Sequence, residues 1–511
     1  MDRRTFLRGA TVLGSGVFAG AAVAGCATSS PHNQGGGTST STANHGPPDW
    51  SKLAASLSGM LLLPSDGGYT AAGHLYNSVY AQQAAAIAQC QSAGDVQRCL
   101  AFARDADVPV AARSGGHSYA AYSSCPGLVI DVTNLDTVSV GGGGLATVGA
   151  GTTLIDVYNQ LAAAGRLLPG GSCPTVGIAG LALGGGIGVF ARAYGLTCDQ
   201  LQSVELVTAD GTVHQCGPNQ DEDLYWACRG GGGGNFGVVT SFEFRTQPIP
   251  EAITLFTLEW PWGAAGDVLS AWLQWIQSAP NELWANCQLY SSGSVGSGLV
   301  KVTGVFVGSR SACTDALAPL TTAVGTGTTS RFVGPEEYLA ATMIEAGCEG
   351  ETVAQCAVPV QSPFVAKSSY VGGALSGSTV QTITSALSSF PSSLPGAGAG
   401  VVFDGYGGVI NQVGAGDTAF VHRSAVTCAQ YSVTYAGAPP SQSQKSTAAE
   451  WLDHLQQAFA PASQGSYQNY IDPTLTNWQQ AYYGSNLPRL QQVKRKYDPD
   501  QVFRFAQSIP A

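Results

Sequence analysis

The sequence predicts an α+β protein of two domains, and three observations predict it. Between residues 51 and 248, short apolar strands, one clear helix and glycine loops alternate. Between 249 and 455, longer strands and helices follow without obvious motifs, the later strands reading as an antiparallel sheet. Pro248-Ile-Pro250 punctuates the join. With 511 residues, and a soft prior of about 150 per domain, two or three domains fit once export signals are set aside. At 44% hydrophobic residues the chain can bury a sizeable core.

The first 26 residues read as a targeting segment. Arg3-Arg4-Thr5-Phe6-Leu7 is a twin-arginine start, and the Gly/Ala-rich run from Ala10 to Gly25 is too short for a good membrane span. Val23-Ala24-Gly25-Cys26 looks like a lipobox, with Cys26 as the lipidated residue. The expectation is export by the twin-arginine route, a route for cargo already folded. The protein is then lipid-anchored at the outer face of the cell membrane or secreted, and touches membrane only through Cys26. Residues 27–50, rich in Ser, Thr, Gly and Pro, read as a flexible tether.

Residues 51–248 hold the most legible elements. Ser92 and Asp95 form an S-x-x-D capping box for a helix over about 93–104, whose apolar face is Val96, Cys99, Leu100 and Ala103. Val108–Arg113 and Leu128–Val132 read as buried strands. Val204–Thr208, Asp210-Gly211 and Thr212–Gln215 read as a hairpin. Further on, Val300–Val307 and Ala425–Tyr435 read as strands of a sheet, and a helix is expected from near Ser446. Residues 456–511 are Tyr- and Asn-rich, then basic, then apolar and strand-like.

Composition excludes some functions. A net charge of −11 and a pI near 5.0 argue against nucleic acid as a partner. No G-x-S-x-G elbow supports a hydrolase, and no CxxC pairs suggest zinc. His74, His214, His422 and His454 lack metal-ligand spacing, so no metal is expected. Of the 13 cysteines, Cys90/Cys99 and Cys348/Cys356 are candidate pairs.

The chemistry concentrates in glycine-rich loops. Arg113-Ser114-Gly115-Gly116-His117-Ser118-Tyr119 directly follows a strand, and adjacent glycines expose backbone N–H groups to an anionic ligand. Cys173-Pro-Thr-Val176-Gly177-Ile-Ala-Gly180-Leu-Ala-Leu-Gly184-Gly185-Gly-Ile-Gly188 has too many glycines for a helix interior, no P-loop lysine, and the wrong spacing for a Rossmann fingerprint. Gly231–Gly234, Asn235 and Gly237-Val238-Val239 again lead from glycine into a strand.

Taken with Asn469-Tyr470 and the closing 496–510 stretch, these motifs resemble the berberine bridge enzyme-like oxidases of the vanillyl-alcohol oxidase flavoprotein superfamily, from about residue 75 to the last residue. The resemblance implies a two-lobed FAD-binding domain (51–248), an α+β substrate domain (249–455), and a C-terminal segment (456–511) that returns to the first. It implies FAD held bicovalently by His117 and Cys173. The cofactor would lie against Arg113 to Tyr119, Gly177, Gly180, Gly184, Gly185, Gly188, Gly237, Val238, Val239 and Asn469, with the glycine loops cradling its pyrophosphate through backbone N–H groups. Relatives have Gly four residues after the histidine, where this chain has Ala121.

Tyr470 matches the catalytic base of relatives, a role that requires its phenol to be depressed from a pKa near 10. Val176 matches the position that gates oxygen. The implied reaction is removal of hydride from an alcohol carbon of a small molecule, a sugar hydroxyl giving a lactone, with O₂ reduced to H₂O₂. Oxidative tailoring of a secondary metabolite and an inactive flavin-binding surface lipoprotein are the alternatives. Trp260, Trp262, Trp272 and Trp275 could stack a sugar or equally belong to the core.

Overall fold

Three larger β-sheets and a two-stranded ribbon build the computed structural model, which describes residues 47–291, 297–390 and 393–511. The targeting segment, Cys26 and the tether up to residue 46 lie outside the described residues.

The first sheet joins β1 (Met60–Leu62), β2 (Ala86–Gln89), β3 (Val110–Arg113) and β4 (Leu128–Asp131) in the order β1-β2-β4-β3. β2, β4 and β3 run parallel, and β1 adds on antiparallel. The helix Ala93–Asp105 buries the expected stripe of Val96, Cys99, Leu100 and Ala103. Its Ser92 side chain accepts the Asp95 N–H. The second half of the expected capping box does not form. Asp95 is fully buried, and its carboxylate accepts from the N–H groups of Ser58, Gly59 and Gln91 instead. Ser58 and Gly59 lie in a loop distant in sequence and Gln91 directly precedes the N-cap, so the side chain ties that loop to the helix end.

The second sheet is antiparallel and comes from β5 (Val138–Val140), β6 (Leu145–Gly149), β8 (Leu201–Val207), β9 (Val213–Cys216) and β10 (Val238–Arg245), in the order β5-β6-β10-β8-β9. β7 (Arg166–Leu167) and β11 (Gln247–Pro248) pair as a separate ribbon. The β8–β9 hairpin closes at the Asp-Gly turn: Gly211 takes a φ of +85°, and the Asp210 carboxylate accepts the Thr212 N–H at 3.0 Å.

The third sheet has seven antiparallel strands, β12 (Ile253–Trp260), β13 (Leu283–Ser291), β14 (Gly298–Val307), β15 (Ser330–Pro335), β16 (Phe364–Val371), β17 (Ala397–Gly405) and β18 (Thr427–Tyr435), in the order β15-β12-β14-β13-β17-β18-β16. Strand periodicity of two divides its faces. Along β13, Leu283, Ala285, Cys287 and Leu289 pack into a core beneath the helices, whereas Trp284, Asn286, Gln288 and Tyr290 line the cavity. Register extends that polar face across the strands. Thr303, Asn286 and Asp404 stand side by side in one row, and Lys301, Gln288, Val402 and Gln430 in the next.

The four tryptophans at 260, 262, 272 and 275 resolve to the core side: Trp272 is wholly buried, and none of them lines the cavity. The helix expected from near Ser446 begins at Gln442, because Ser441 and Gln444 form a capping box. The expected C-terminal strand is absent. Beyond the helix Leu487–Tyr497 the tail is a loop wound around Lys494, whose fully buried ammonium donates to Asp498 at 2.6 Å and to the carbonyls of Asn235 and Phe503 at 2.7 Å. Apolar composition alone could not separate a strand from a loop organised by one buried cation. Of the two candidate cysteine pairs, Cys348 and Cys356 form a disulfide, while Cys90 and Cys99 are thiols.

Candidate active site

The cavity, of about 550 Å³, lies between the glycine loops of the first two sheets and the polar face of the third. His117 and Cys173 both line it, on separate loops. The loops touch through glycine: a Cβ on Gly115 or on Gly177 would stand 2.3 Å from the other's backbone nitrogen. No side chain fits there, which is the physical reason both motifs need glycine at those points.

Desolvation holds the His117 imidazole neutral, its pKa down to about 4. Its Nε2 lies 2.8 Å from the Thr175 hydroxyl, and its ring stacks on Tyr76 at 4.2 Å. The Cys173 thiol is open to the cavity yet enclosed by surrounding protein, and that desolvation, helped by nearby Asp404, pushes its pKa up. The backbone N–H groups of Gly115, Gly116 and His117 find no backbone or side-chain acceptor among the described residues. Successive unpaired N–H groups at a cavity wall form a nest suited to a phosphate.

Most of the residues picked out from the sequence converge here. Gly180, Gly188, Gly237, Val238 and Val239 line the cavity, as do Val176, Ser118 and Tyr119. Arg113 and Ser114 line it too, but their side chains are already engaged: the Arg113 guanidinium makes a buried ion pair with Asp131 at 2.9 Å, and Ser114 Oγ donates to the Ala150 carbonyl. They brace the loop. Asn469 Nδ2 donates to the Leu181 carbonyl and to Tyr467 Oη. Gly184 and Gly185 do not line the cavity, contrary to expectation. A Cβ on Gly184 would meet Asn469 Oδ1 at 1.9 Å, and one on Gly185 the Phe420 ring at 2.8 Å. Their glycines make room for neighbouring side chains.

Tyr470 lines the same cavity. It stacks on Tyr119 at 5.2 Å and meets Tyr467 edge-on at 4.9 Å. The sequence reading required a depressed phenol. Burial instead raises the Tyr470 pKa well above 10, with Asp404 adding to the rise. The hydroxyl therefore stays protonated and sits close enough to the Asp404 carboxylate to stabilise its charged form. Asp404 is itself raised to about 7, by desolvation first and by the negative Glu345 second. Such a pair can take a proton in relay: Tyr470 accepts one from a ligand hydroxyl as it gives its own to Asp404.

Asp404, Glu345, Asn286, Gln288 and Gln430 are cavity residues that motif reading missed. Gln430 Nε2 donates to Tyr119 Oη at 2.6 Å. The one available signal was Asp404 itself, a lone carboxylate within the apolar run Val401-Val402-Phe403.

Comparison with known proteins shows the family. Residues 84–217 match the FAD binding domain model, and residues 466–510 the "Berberine and berberine like" model. An uncharacterized FAD-linked oxidoreductase of Bacillus subtilis is 32% identical over 460 residues, covering 89% of this chain and 97% of the relative. Glucooligosaccharide oxidase of Sarocladium strictum is 30% identical, covering 85% and 89%. Among solved structures, the BBE-like 1 protein of Physcomitrella patens superposes with a TM-score of 0.82 at 29% identity, covering 90% of this chain and 98% of that one. A structure of glucooligosaccharide oxidase from Acremonium strictum, described as carrying 6-S-cysteinyl, 8α-N1-histidyl FAD, superposes at 0.80 with 27% identity, covering 90% and 98%.

The fold and site define an FAD-linked oxidoreductase with a two-domain α+β architecture. The chain belongs to the berberine bridge enzyme-like FAD-linked oxidases of the vanillyl-alcohol oxidase superfamily.

Proposed function

We propose that this protein is an oxidase that carries FAD on both His117 and Cys173, oxidises the reducing-end hydroxyl of a sugar or oligosaccharide to a lactone, and reduces O₂ to H₂O₂. The observation that carries this reading is one cavity lined by a neutral imidazole, an accessible thiol and the Tyr470–Asp404 pair. The unpaired N–H groups of residues 115–117 suit the pyrophosphate of FAD. Two oligosaccharide oxidases among the relatives, from Sarocladium strictum and Gibberella zeae, support the substrate class.

When bound, FAD supplies the two-electron acceptor. The chain's own residues do the rest. Tyr470 removes the hydroxyl proton of the substrate and passes its phenolic proton to Asp404. Tyr119 and Phe364, packed edge to face at 4.6 Å, hold the phenol's surroundings rigid. Asn286, Gln288 and Gln430 offer amides to the remaining hydroxyls, which orients the reacting carbon. Val176, small and at the cavity wall, leaves space for O₂. The twin-arginine start and Cys26 support export with a lipid anchor, where sugars outside the cell would reach the enzyme.

Acid precipitation of the purified protein tests the attachment. Flavin should stay in the pellet and be released only from the His117→Ala, Cys173→Ala double variant. Colour in the wild-type supernatant would contradict covalent linkage. Cellobiose, glucose and N-acetylchitobiose, assayed for H₂O₂, test the substrate class; bleaching by none of them removes the sugar reading.

A further inference from the structure

We propose that Thr175 is a positioning residue for cofactor attachment: its hydroxyl holds the His117 imidazole by Nε2 and so presents Nδ1 as the atom that bonds to the flavin. The inference rests on the double-anchor reading above and deepens it.

Two contacts define the imidazole. Its ring stacks on Tyr76 with centroids 4.2 Å apart and planes 14° apart. Its Nε2 lies 2.8 Å from Thr175 Oγ1. The stack alone leaves a choice. A half-turn about the Cβ–Cγ bond puts carbon in both nitrogen places, and a flat ring stacks on Tyr76 equally well either way. The Thr175 hydroxyl breaks the tie, because a ring nitrogen pairs with it and a ring carbon does not. With Nε2 so engaged, Nδ1 has no hydrogen-bond partner among the described residues. It is also not one of the sealed side-chain atoms that lack a partner, so it opens on the cavity that His117 lines.

Thr175 can fix this direction because the backbone fixes Thr175. It is buried and does not line the cavity, so it acts through His117. The carbonyls on either side of it, of Pro174 and Val176, accept the N–H groups of Ile155 and Leu154 at 3.0 and 2.9 Å, in the first turn of the helix Leu154–Ala163. Cys173 stands two residues before Thr175, so one loop supplies the second anchor and aims the first. The chemistry needs that aim. Attachment replaces a C–H of the flavin 8-methyl group by a C–N bond to Nδ1. The methyl proton and the imidazole proton pass with two electrons to the flavin, and O₂ then takes them as H₂O₂. A lone pair on Nδ1 forms the new bond. Burial keeps the imidazole neutral, and the tautomer with its proton on Nε2 donates it to Thr175 and leaves that lone pair free.

The test isolates the histidine bond. In Cys173→Ala, acid-insoluble flavin reads attachment through His117 alone. The full-length chain, made in flavin-starved cells, is mixed with FAD and acid-insoluble flavin is followed with time. Adding Thr175→Val, which keeps the shape and removes the hydroxyl, should slow attachment by about two- to tenfold, the weight of one net hydrogen bond. Thr175→Ser should restore the rate. FAD absorbance before acid shows that each variant still binds the cofactor, so a slower rate with FAD bound is not a loss of fold. Equal rates with and without the hydroxyl overturn the proposal, as does a loss that Thr175→Ser fails to restore. If Thr175→Val binds no FAD, Thr175→Ser must attach flavin faster than Thr175→Ala or the proposal fails. A Cys173→Ala protein that binds FAD and never attaches it sinks the double-anchor reading, and this inference with it.

Discussion

In the proposed relay Asp404 takes the proton from Tyr470, and its burial gives that role a pH signature. The relay needs the carboxylate form, and the group titrates at about 7. The rate of flavin reduction at saturating substrate should therefore rise about tenfold per pH unit below 7 and level off above it. Asp404→Asn should lower kcat by roughly 10²–10³-fold and abolish that limb; a variant that keeps the wild-type profile would remove Asp404 from the relay. Stability runs the opposite way. An unfolded aspartate releases its proton near about 3.9, while the folded one keeps it to about 7. The contribution is present below about 4 and lost as pH rises through 7, so urea denaturation should show Asp404→Asn flattening the decline over that window. Ala121 carries a second local signature. It adopts a φ of +59°, the left-handed region that favours glycine. Left-handed backbone costs a Cβ-bearing residue about 1–2 kcal/mol, partly offset by glycine's greater chain entropy. Ala121→Gly should raise Tm by roughly 1–2 °C in calorimetry. A lower Tm would mean the methyl, 4% exposed, packs more than it strains.

At the scale of elements, the disulfide-closed segment after the helix Tyr338–Glu345 shapes the pocket wall. Ala346, next to Glu345, also lines the cavity, and Cys348 and Cys356 pack with Ile155 and Met343. Cys348→Ala/Cys356→Ala should therefore raise KM for cellobiose more than it lowers kcat, measured by peroxide release. Equal loss in both would locate the effect in global folding instead. Elements also explain what the sequence disclosed. The flavin loops were legible because their chemistry is contiguous: glycine, histidine and cysteine sit in short runs directly after strands. The substrate wall was not, because Asn286, Glu345, Asp404 and Gln430 come from four separate elements and meet only through strand register and helix packing. The helix over 93–105 announced itself through Ser92 and its apolar stripe, yet Asp95 was drawn to tertiary donors that no local pattern encodes. The tryptophans could not be assigned to core or pocket before the sheet fixed which side each faced.

For the whole molecule, the C-terminal tail joins the parts that surround the cavity. The Ile509 N–H donates to Asn235 Oδ1 at 2.9 Å, and Lys494 reaches the Asn235 carbonyl. Asn235 itself lines the cavity within the third glycine motif. Lys494 and Asp498 form a wholly buried pair, and removing one partner of such a pair leaves an uncompensated charge. Asp498→Ala should destabilise the protein by about 3–5 kcal/mol in denaturant unfolding. A loss below about 1 kcal/mol would show that water or backbone carbonyls suffice for the ammonium.

The alternation along β13 has a consequence for how this enzyme can change. Odd positions belong to the packed interior and even positions to the wall that meets substrate, so the two jobs are inherited separately. Exchanges at 284, 286, 288 or 290 can retune what the enzyme accepts while the interior stays intact. A single inserted residue in that strand would instead turn the apolar side chains beyond it toward the cavity and the amides toward the core, forfeiting both at once. Diversification of such an enzyme is therefore expected to proceed by replacement, with strand length held constant.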